Sequence, residues 1–197
     1  MLTLQSLSRQ SNDRLLLQEF AVTLLPACLL RVEGESGAGK TLLLEMIANE
    51  APCPKGSVLF DNQETRGNKL FFGDITYLPE HHAELTLRWT VEKQLARWAK
   101  RGEVQLIPLA ARFLQLDPWL KTPLRELSMG WRQRVRLARL MIQPTTLWLL
   151  DRPMLYLDEA GKAIAETLIA SRCQQNGMVI FSHDGPTRLN PHGMMVL

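Results

Sequence analysis

The chain has 197 residues, of which 46% are hydrophobic and 22% charged, a balance that supports a packed globular core and excludes a disordered chain. Its net charge of +3 is only mildly basic and no run of five like charges occurs, so a solvated surface without a nucleic-acid partner is expected. The three cysteines, Cys28, Cys53 and Cys173, form no C-x-x-C pair or Cys/His cluster, which excludes a disulfide framework or structural zinc and fits a reducing compartment.

In chain order, Leu2, Leu4 and Leu7 mark a first strand by their alternation, Phe20–Leu25 a second and Cys28–Val32 a third that feeds a glycine-rich turn. The run Thr41–Asn49 is expected as a short helix stopped by Pro52 and Pro54. Gly56–Phe60 and Ile75–Leu78 are expected strands. Trp89–Lys100 and Gln105–Leu116 are expected helices, separated by Gly102 and punctuated by Pro108. Ser128 caps a further helix to about Ile142. A buried strand, Leu147–Leu150, a helix from about Ala160 to Gln174 and a strand, Met178–Ser182, complete the pattern.

Strands alternating with helices predict an α/β fold with a mostly parallel sheet. The stretch from about Pro79 to Arg125 breaks the alternation and reads as helical. Residues 80–139 are therefore expected as an inserted helical subdomain, with 1–79 and 140–197 as the core. The longest uncharged runs, Phe20–Leu30 and Leu140–Leu150, have 11 residues each. A spanning helix needs about 20 apolar residues. The first residues, Met1 to Gln5, carry no basic stretch followed by an apolar one, so neither a membrane span nor a secretory signal is expected.

The eight residues Gly34, Glu35, Ser36, Gly37, Ala38, Gly39, Lys40 and Thr41 fit G-x-x-x-x-G-K-[ST], between an apolar strand and an apolar helix. Glycines let successive backbone N–H groups converge on phosphate oxygens, and the following helix N-terminus adds positive potential. Lys40 is expected on the β- and γ-phosphates of ATP and the Thr41 hydroxyl on Mg²⁺. The same eight letters occur in myosin-like motors, whose domains are several times longer.

Downstream, Leu127-Ser128-Met129-Gly130 opens a helix that continues Trp131-Arg132-Gln133-Arg134-Val135-Arg136-Leu137-Ala138-Arg139. This resembles the signature of ABC ATPases, LSGGQ followed by a basic helix. In that family the serine and glycine at the helix start bind the γ-phosphate of ATP held by the opposite subunit. The resemblance implies that role for Ser128 and Gly130, a P-loop core with antiparallel N-terminal strands, and a second ABC subunit, expected as a homodimer.

The run Thr146-Leu147-Trp148-Leu149-Leu150-Asp151 resembles the Walker B strand, whose aspartate holds Mg²⁺ through water. Leu157-Asp158 falls at the end of the D-loop and His183 matches the switch histidine. Glu80 stands at the position of the Q-loop glutamine, where it keeps an oxygen for metal or water. The adjacent Ser182-His183-Asp184 cannot converge as a hydrolase triad.

Three departures from the family pattern bear on chemistry. Arg152 stands where the family has the glutamate that polarises water, and arginine cannot act as a base near neutral pH. Loss of a general base costs about 10²–10⁴ in rate. Hydrolysis is therefore expected to be slow or to use Glu80 or His183, with Asp151 on the metal. Met129 and Trp131 replace a glycine and a glutamine in the signature. The first 19 residues hold no aromatic side chain to stack on adenine, an expected loss of about 1–3 kcal/mol.

Within the family, the stretch from Leu127 through the Leu137-Ala138-Arg139-Leu140 run to Asp151 resembles the ATP-binding subunit of the haem exporter of cytochrome c maturation. The likeness implies transmembrane partner subunits, haem only indirectly, and a peripheral place on the cytoplasmic face of a bacterial inner membrane or the matrix face of a mitochondrial one. Trp89, Trp98 and Trp119 fall in or near the helical insert, as core packing or as a docking groove for a membrane subunit. The alternative function is a catalytically weak ATP-binding assembly module of another membrane complex. Soluble ABC proteins of repair or translation resemble longer or tandem chains.

Overall fold

The computed structural model describes residues 1–11, 14–99, 103–143 and 145–197. The first half runs β1 (Leu2–Ser11), β2 (Arg14–Leu24), β3 (Leu29–Glu33), α1 (Lys40–Ile47), β4 (Lys55–Phe60), β5 (Gln63–Glu64), α2 (Lys69–Asp74) and β6 (Ile75–Leu78). The second runs α3 (Val91–Trp98), α4 (Leu106–Phe113), α5 (Met129–Ile142), β7 (Leu147–Leu150), α6 (Glu159–Gln174), β8 (Met178–Ser182) and β9 (Gly193–Val196). Short 3₁₀ turns fall at Asp117–Trp119 and Leu124–Glu126.

Two sheets share the strands. One is antiparallel, ordered β2-β1-β4-β5, and the other has five strands ordered β6-β7-β8-β3-β9, paired in parallel throughout. The central strands β7 (LWLL) and β8 (MVIFS) are buried at every position. Runs that are apolar at every position but Ser182 fit strands covered on both faces.

Alternation then divides their side chains between two cores. Leu147, Leu149, Met178 and Ile180 join Leu43, Leu44 and Met46 of α1 and Leu2 and Leu4 of β1. Trp148, Leu150, Val179 and Phe181 face the helical side, with Leu95 of α3, Val135 and Leu137 of α5, and Leu168 and Ile169 of α6. A one-residue slip of β7 would exchange the two sets.

The parallel sheet, the antiparallel N-terminal strands and the helices α3 to α5 between β6 and β7 agree with the expected fold. The bounds differ for local reasons. Helix α3 begins at Val91, two residues after Trp89, because the Thr90 side chain caps it by accepting from Lys93 N at 3.3 Å. Helix α4 ends at Phe113, ahead of Gln115, whose φ is positive (59°). Lys100 and Gly102, read as the end of one helix and the break before the next, lie outside the described residues. The elements α2, β5 and β9 have no counterpart among the elements expected from the sequence.

Candidate functional site: a phosphate-binding cleft at the end of the parallel sheet

Strand β3 ends at Glu33, and the chain turns through residues 34–39 into α1. Gly37 and Gly39 take positive φ values of 84° and 103°, and Gly39 is the N-cap residue. The turn sets backbone N–H groups and the helix N-terminus at the mouth of a cleft of about 300 Å³, lined in part by Ser36, Gly37, Lys40, Thr41, Glu80 and Asp151. A cleft at the carboxyl ends of parallel strands is where open α/β sheets bind ligands.

Lys40 is 8% exposed, and its Nζ donates to Gly34 O at 2.7 Å and Glu35 O at 3.0 Å. It also pairs with Asp184 Oδ1 at 2.9 Å. The Thr41 hydroxyl donates to Asp151 Oδ2 at 2.6 Å, bringing α1 and the end of β7 together. The other oxygen of Asp151 accepts from Ser182 Oγ at 2.6 Å, and Ser182 Oγ in turn accepts from Arg152 N at 2.9 Å. Asp151 is 1% exposed, so its carboxylate is held from both sides.

The Thr41 and Asp151 oxygens are hard donors of the kind Mg²⁺ takes, and Mg²⁺ usually draws its remaining ligands from phosphates and water. Among the described residues no group of three or more His, Cys, Asp or Glu side chains is placed to hold a metal ion by itself. The residues present fit an ion that arrives with its nucleotide.

Arg152 has a positive φ (49°) and reaches across the cleft. Its guanidinium meets Glu80 Oε1 at 3.3 Å and Asp184 Oδ2 at 2.8 Å. Burial works to raise the Asp184 pKa, but the hydrogen bond and charge of Lys40, then the charge of Arg152, outweigh it and hold the carboxyl below its ordinary value. His183 is oriented differently: its Nε2 lies 3.2 Å from Pro186 O. The residue on the cleft at this strand end is Asp184. Neither Asp184 nor Ser182 was singled out from the sequence for this cleft. Ser182 is the last residue of β8, the strand paired with β7, and Asp184 lies two residues beyond it; that place at the strand's C-terminal end is the available signal.

The signature residues build a second, separate hollow of about 390 Å³, lined by Ser128, Met129, Gly130, Trp131, Arg134 and Tyr156 among others. Ser128 is the N-cap of α5, its Oγ accepting from Trp131 N at 3.3 Å. Gly130 packs so closely that a Cβ there would lie 2.7 Å from Tyr156 O. Trp131 packs against Trp119 with the rings tilted at 46° and their centroids 5.2 Å apart, and it lies under the Arg134 guanidinium at 4.9 Å. Arg134 also pairs with Asp158 Oδ1 at 2.9 Å. The backbone N–H of Gly161, then Arg134, lowers the Asp158 pKa.

Helix α5 is tied to the loop after β6 through Arg136, a fully buried guanidinium at 1% exposure. It pairs with Glu84 and donates to Pro79 O, to Gln133 Oε1 at 2.7 Å and to Glu80 O at 3.4 Å. His82, in the same loop, has both ring nitrogens buried, with no partner at hydrogen-bonding geometry among the described residues. Burial, then the charges of Arg136 and Arg132, push its pKa down to about 4.

Residues 17–155 match the family model described as ABC transporter. The chain belongs to the ABC transporter family. This ABC chain is 31% identical over 189 residues to the cytochrome c biogenesis ATP-binding export protein CcmA of Wolbachia pipientis, covering 95% of this chain and 91% of that protein. It is 30% identical to the protein of the same name from Vibrio cholerae, covering 92% and 90%. Among solved structures, a putative ABC transporter ATP-binding protein of Pyrococcus furiosus superposes with a TM-score of 0.84 at 26% identity, over 100% of this chain and 96% of that one. A dimeric ATP-binding cassette in a post-hydrolysis state with ADP and Pi shares the fold, with a TM-score of 0.80 at 20% identity over 93% and 88% of the two chains.

Proposed function

We propose that this chain is the ATP-binding subunit of a membrane export complex of the cytochrome c biogenesis type, and that its site is built for nucleotide binding more than for fast hydrolysis. The observation that carries the reading is the joined set Lys40, Thr41 and Asp151 at the N-terminus of α1. Lys40 supplies the cation for the β- and γ-phosphates, and the N–H groups of residues 36–41 supply donors. Thr41 and Asp151 would hold Mg²⁺, Asp151 through water. Bound there, Mg²⁺ neutralises charge on the phosphate oxygens.

Slow hydrolysis follows from Arg152. A guanidinium cannot take a proton from water near neutral pH, and the nearby carboxylates Glu80 and Asp184 are both engaged by it. A second reading keeps hydrolysis and assigns the proton to Glu80, which is favoured by its place on the cleft. In either case Ser128 and Gly130 serve the nucleotide of a second subunit, expected as a copy of this chain. The ATP-binding core is assigned to residues 1–79 and 140–197, the helical part to 80–139.

No described helix is long and apolar enough to cross a membrane, so membrane subunits are partners on this reading and the chain is peripheral, on the cytoplasmic or matrix face of an inner membrane. Trp98 is buried at 7% exposure and Trp119 packs against Trp131, which supports core packing for these two. Trp89 lies under Lys93 and Arg97 at 5.0 and 5.2 Å. Haem is handled by the partners.

The test is ATP turnover of the complex with its membrane subunits, beside Lys40→Ala and Arg152→Glu. The expected result is nucleotide binding that Lys40→Ala abolishes and turnover that Arg152→Glu raises by about 10² or more. Turnover that needs Lys40 yet gains nothing from Arg152→Glu would sink the slow-hydrolysis reading and move water activation to another group.

A further inference from the structure

One carboxylate, Asp184, sits between two cations, one at the start of α1 and one just past the end of β7. Its Oδ1 lies 2.9 Å from Lys40 Nζ and its Oδ2 lies 2.8 Å from Arg152 Nη2. An anion with two oxygens at that point touches both at hydrogen-bond distance. Lys40 is the cation that a phosphate loop aims at the terminal phosphates, and the two oxygens of a phosphoryl group can span a lysine and an arginine as a carboxylate does. Arg152 is steered there by its backbone: its N–H is held by Ser182 Oγ, and its left-handed φ turns the side chain toward Glu80 and Asp184. Both Arg152 and Asp184 are 36% exposed, so their pairing can open without unpacking the core.

We propose that Asp184 is a resident stand-in for the terminal phosphate of the nucleotide, and that Arg152, released to that phosphate, is the residue by which the cleft prefers a nucleoside triphosphate to a diphosphate. The inference rests on the ATP-binding reading above. It gives the unusual arginine a positive task, discrimination by charge and hydrogen bonding at the third phosphate. A diphosphate ends at Lys40 and leaves the Arg152–Asp184 pair in place. A triphosphate must exchange that pair, and gains a charge-assisted contact in return.

The test is a set of dissociation constants, by calorimetry with Mg²⁺, for ADP and for a non-hydrolysable ATP analogue. The proteins are the natural chain, Arg152→Met, Arg152→Lys and Asp184→Asn, each first compared by thermal melting. Arg152→Met should weaken the triphosphate analogue about tenfold while changing ADP less than about twofold. Arg152→Lys should fall between, and if Arg152→Met does not fold this variant carries the comparison. Asp184→Asn removes the competing charge and should tighten the triphosphate severalfold. Equal weakening of both nucleotides by the arginine variants, or weaker triphosphate binding in Asp184→Asn, overturns the proposal. A natural chain that binds neither nucleotide overturns instead the ATP-binding reading on which it stands.

Discussion

Replacing Arg136 by methionine removes a guanidinium that is 1% exposed and serves one carboxylate, two backbone carbonyls and one amide oxygen. Methionine keeps most of the side-chain length, so the loss is chiefly electrostatic. Glu84, only 14% exposed, would be left without the cation that pairs with it, and its second oxygen already has no hydrogen-bond partner among the described residues. Breaking one side of a buried pair costs about 3–5 kcal/mol, whereas replacing both partners by apolar groups is often near neutral. Against a total stability of about 5–15 kcal/mol, the single change is severe. Urea denaturation of Arg136→Met, Glu84→Leu and the double variant closes a double-mutant cycle. The expected result is a loss of about 3–5 kcal/mol in Arg136→Met, most of it recovered in the double variant. A loss below about 1 kcal/mol, or a double variant no better than the single one, would refute the claim that this pair anchors the loop after β6.

Gly130→Ala should destabilise the chain by about 1–2 kcal/mol, because the new methyl group meets Tyr156 O at 2.7 Å. Helix propensity alone predicts a gain of about 1 kcal/mol, so the sign of the change in denaturation midpoint decides between them. His82 gives a pH dependence. Its pKa is depressed to about 4 in the folded chain, so the unfolded chain binds the extra proton between pH 6.5 and about 4. Stability is fully present above pH 6.5, falls as pH drops through that window, and loses nothing more from this group below it. After discounting for partial exposure the loss is about 1–2 kcal/mol. The drop in stability between pH 7 and pH 4.5 should be smaller by that amount in His82→Phe, and an equal drop in both proteins rules the assignment out.

Much of this architecture was legible because the chain's signals are local. The apolar runs of β7 and β8, the G-x-x-x-x-G-K-T turn and the Ser128 cap each state their element within a few residues. The short elements were not legible. Strand β9 (GMMV) has two exposed and one buried position, too few to show a period even with the Asn190-Pro191 turn signal ahead of it, and it forms by pairing in parallel with the edge of β3. The site divides in the same way. Lys40 and Thr41 are named by their motif, whereas Asp184 enters only because β8 runs beside β3 and β7 and delivers its last residues to the cleft. Ser182 reads as an ordinary strand residue until Asp151 and Arg152 are seen to share its hydroxyl. Long-range pairing of this kind leaves no periodicity for a sequence to display.

Helix α5 grips three distant segments with side chains from a single turn. Gln133 donates to Pro153 O at 2.7 Å, Arg134 holds Asp158, and Arg136 holds Pro79 and Glu84. One helix thus braces both banks of the cleft: through Arg136 it holds the loop that carries Glu80, and through Gln133 the turn that follows Arg152. Its own N-terminal end, at Met129, is exposed, so the signature hollow and the cleft rest on a single supporting element.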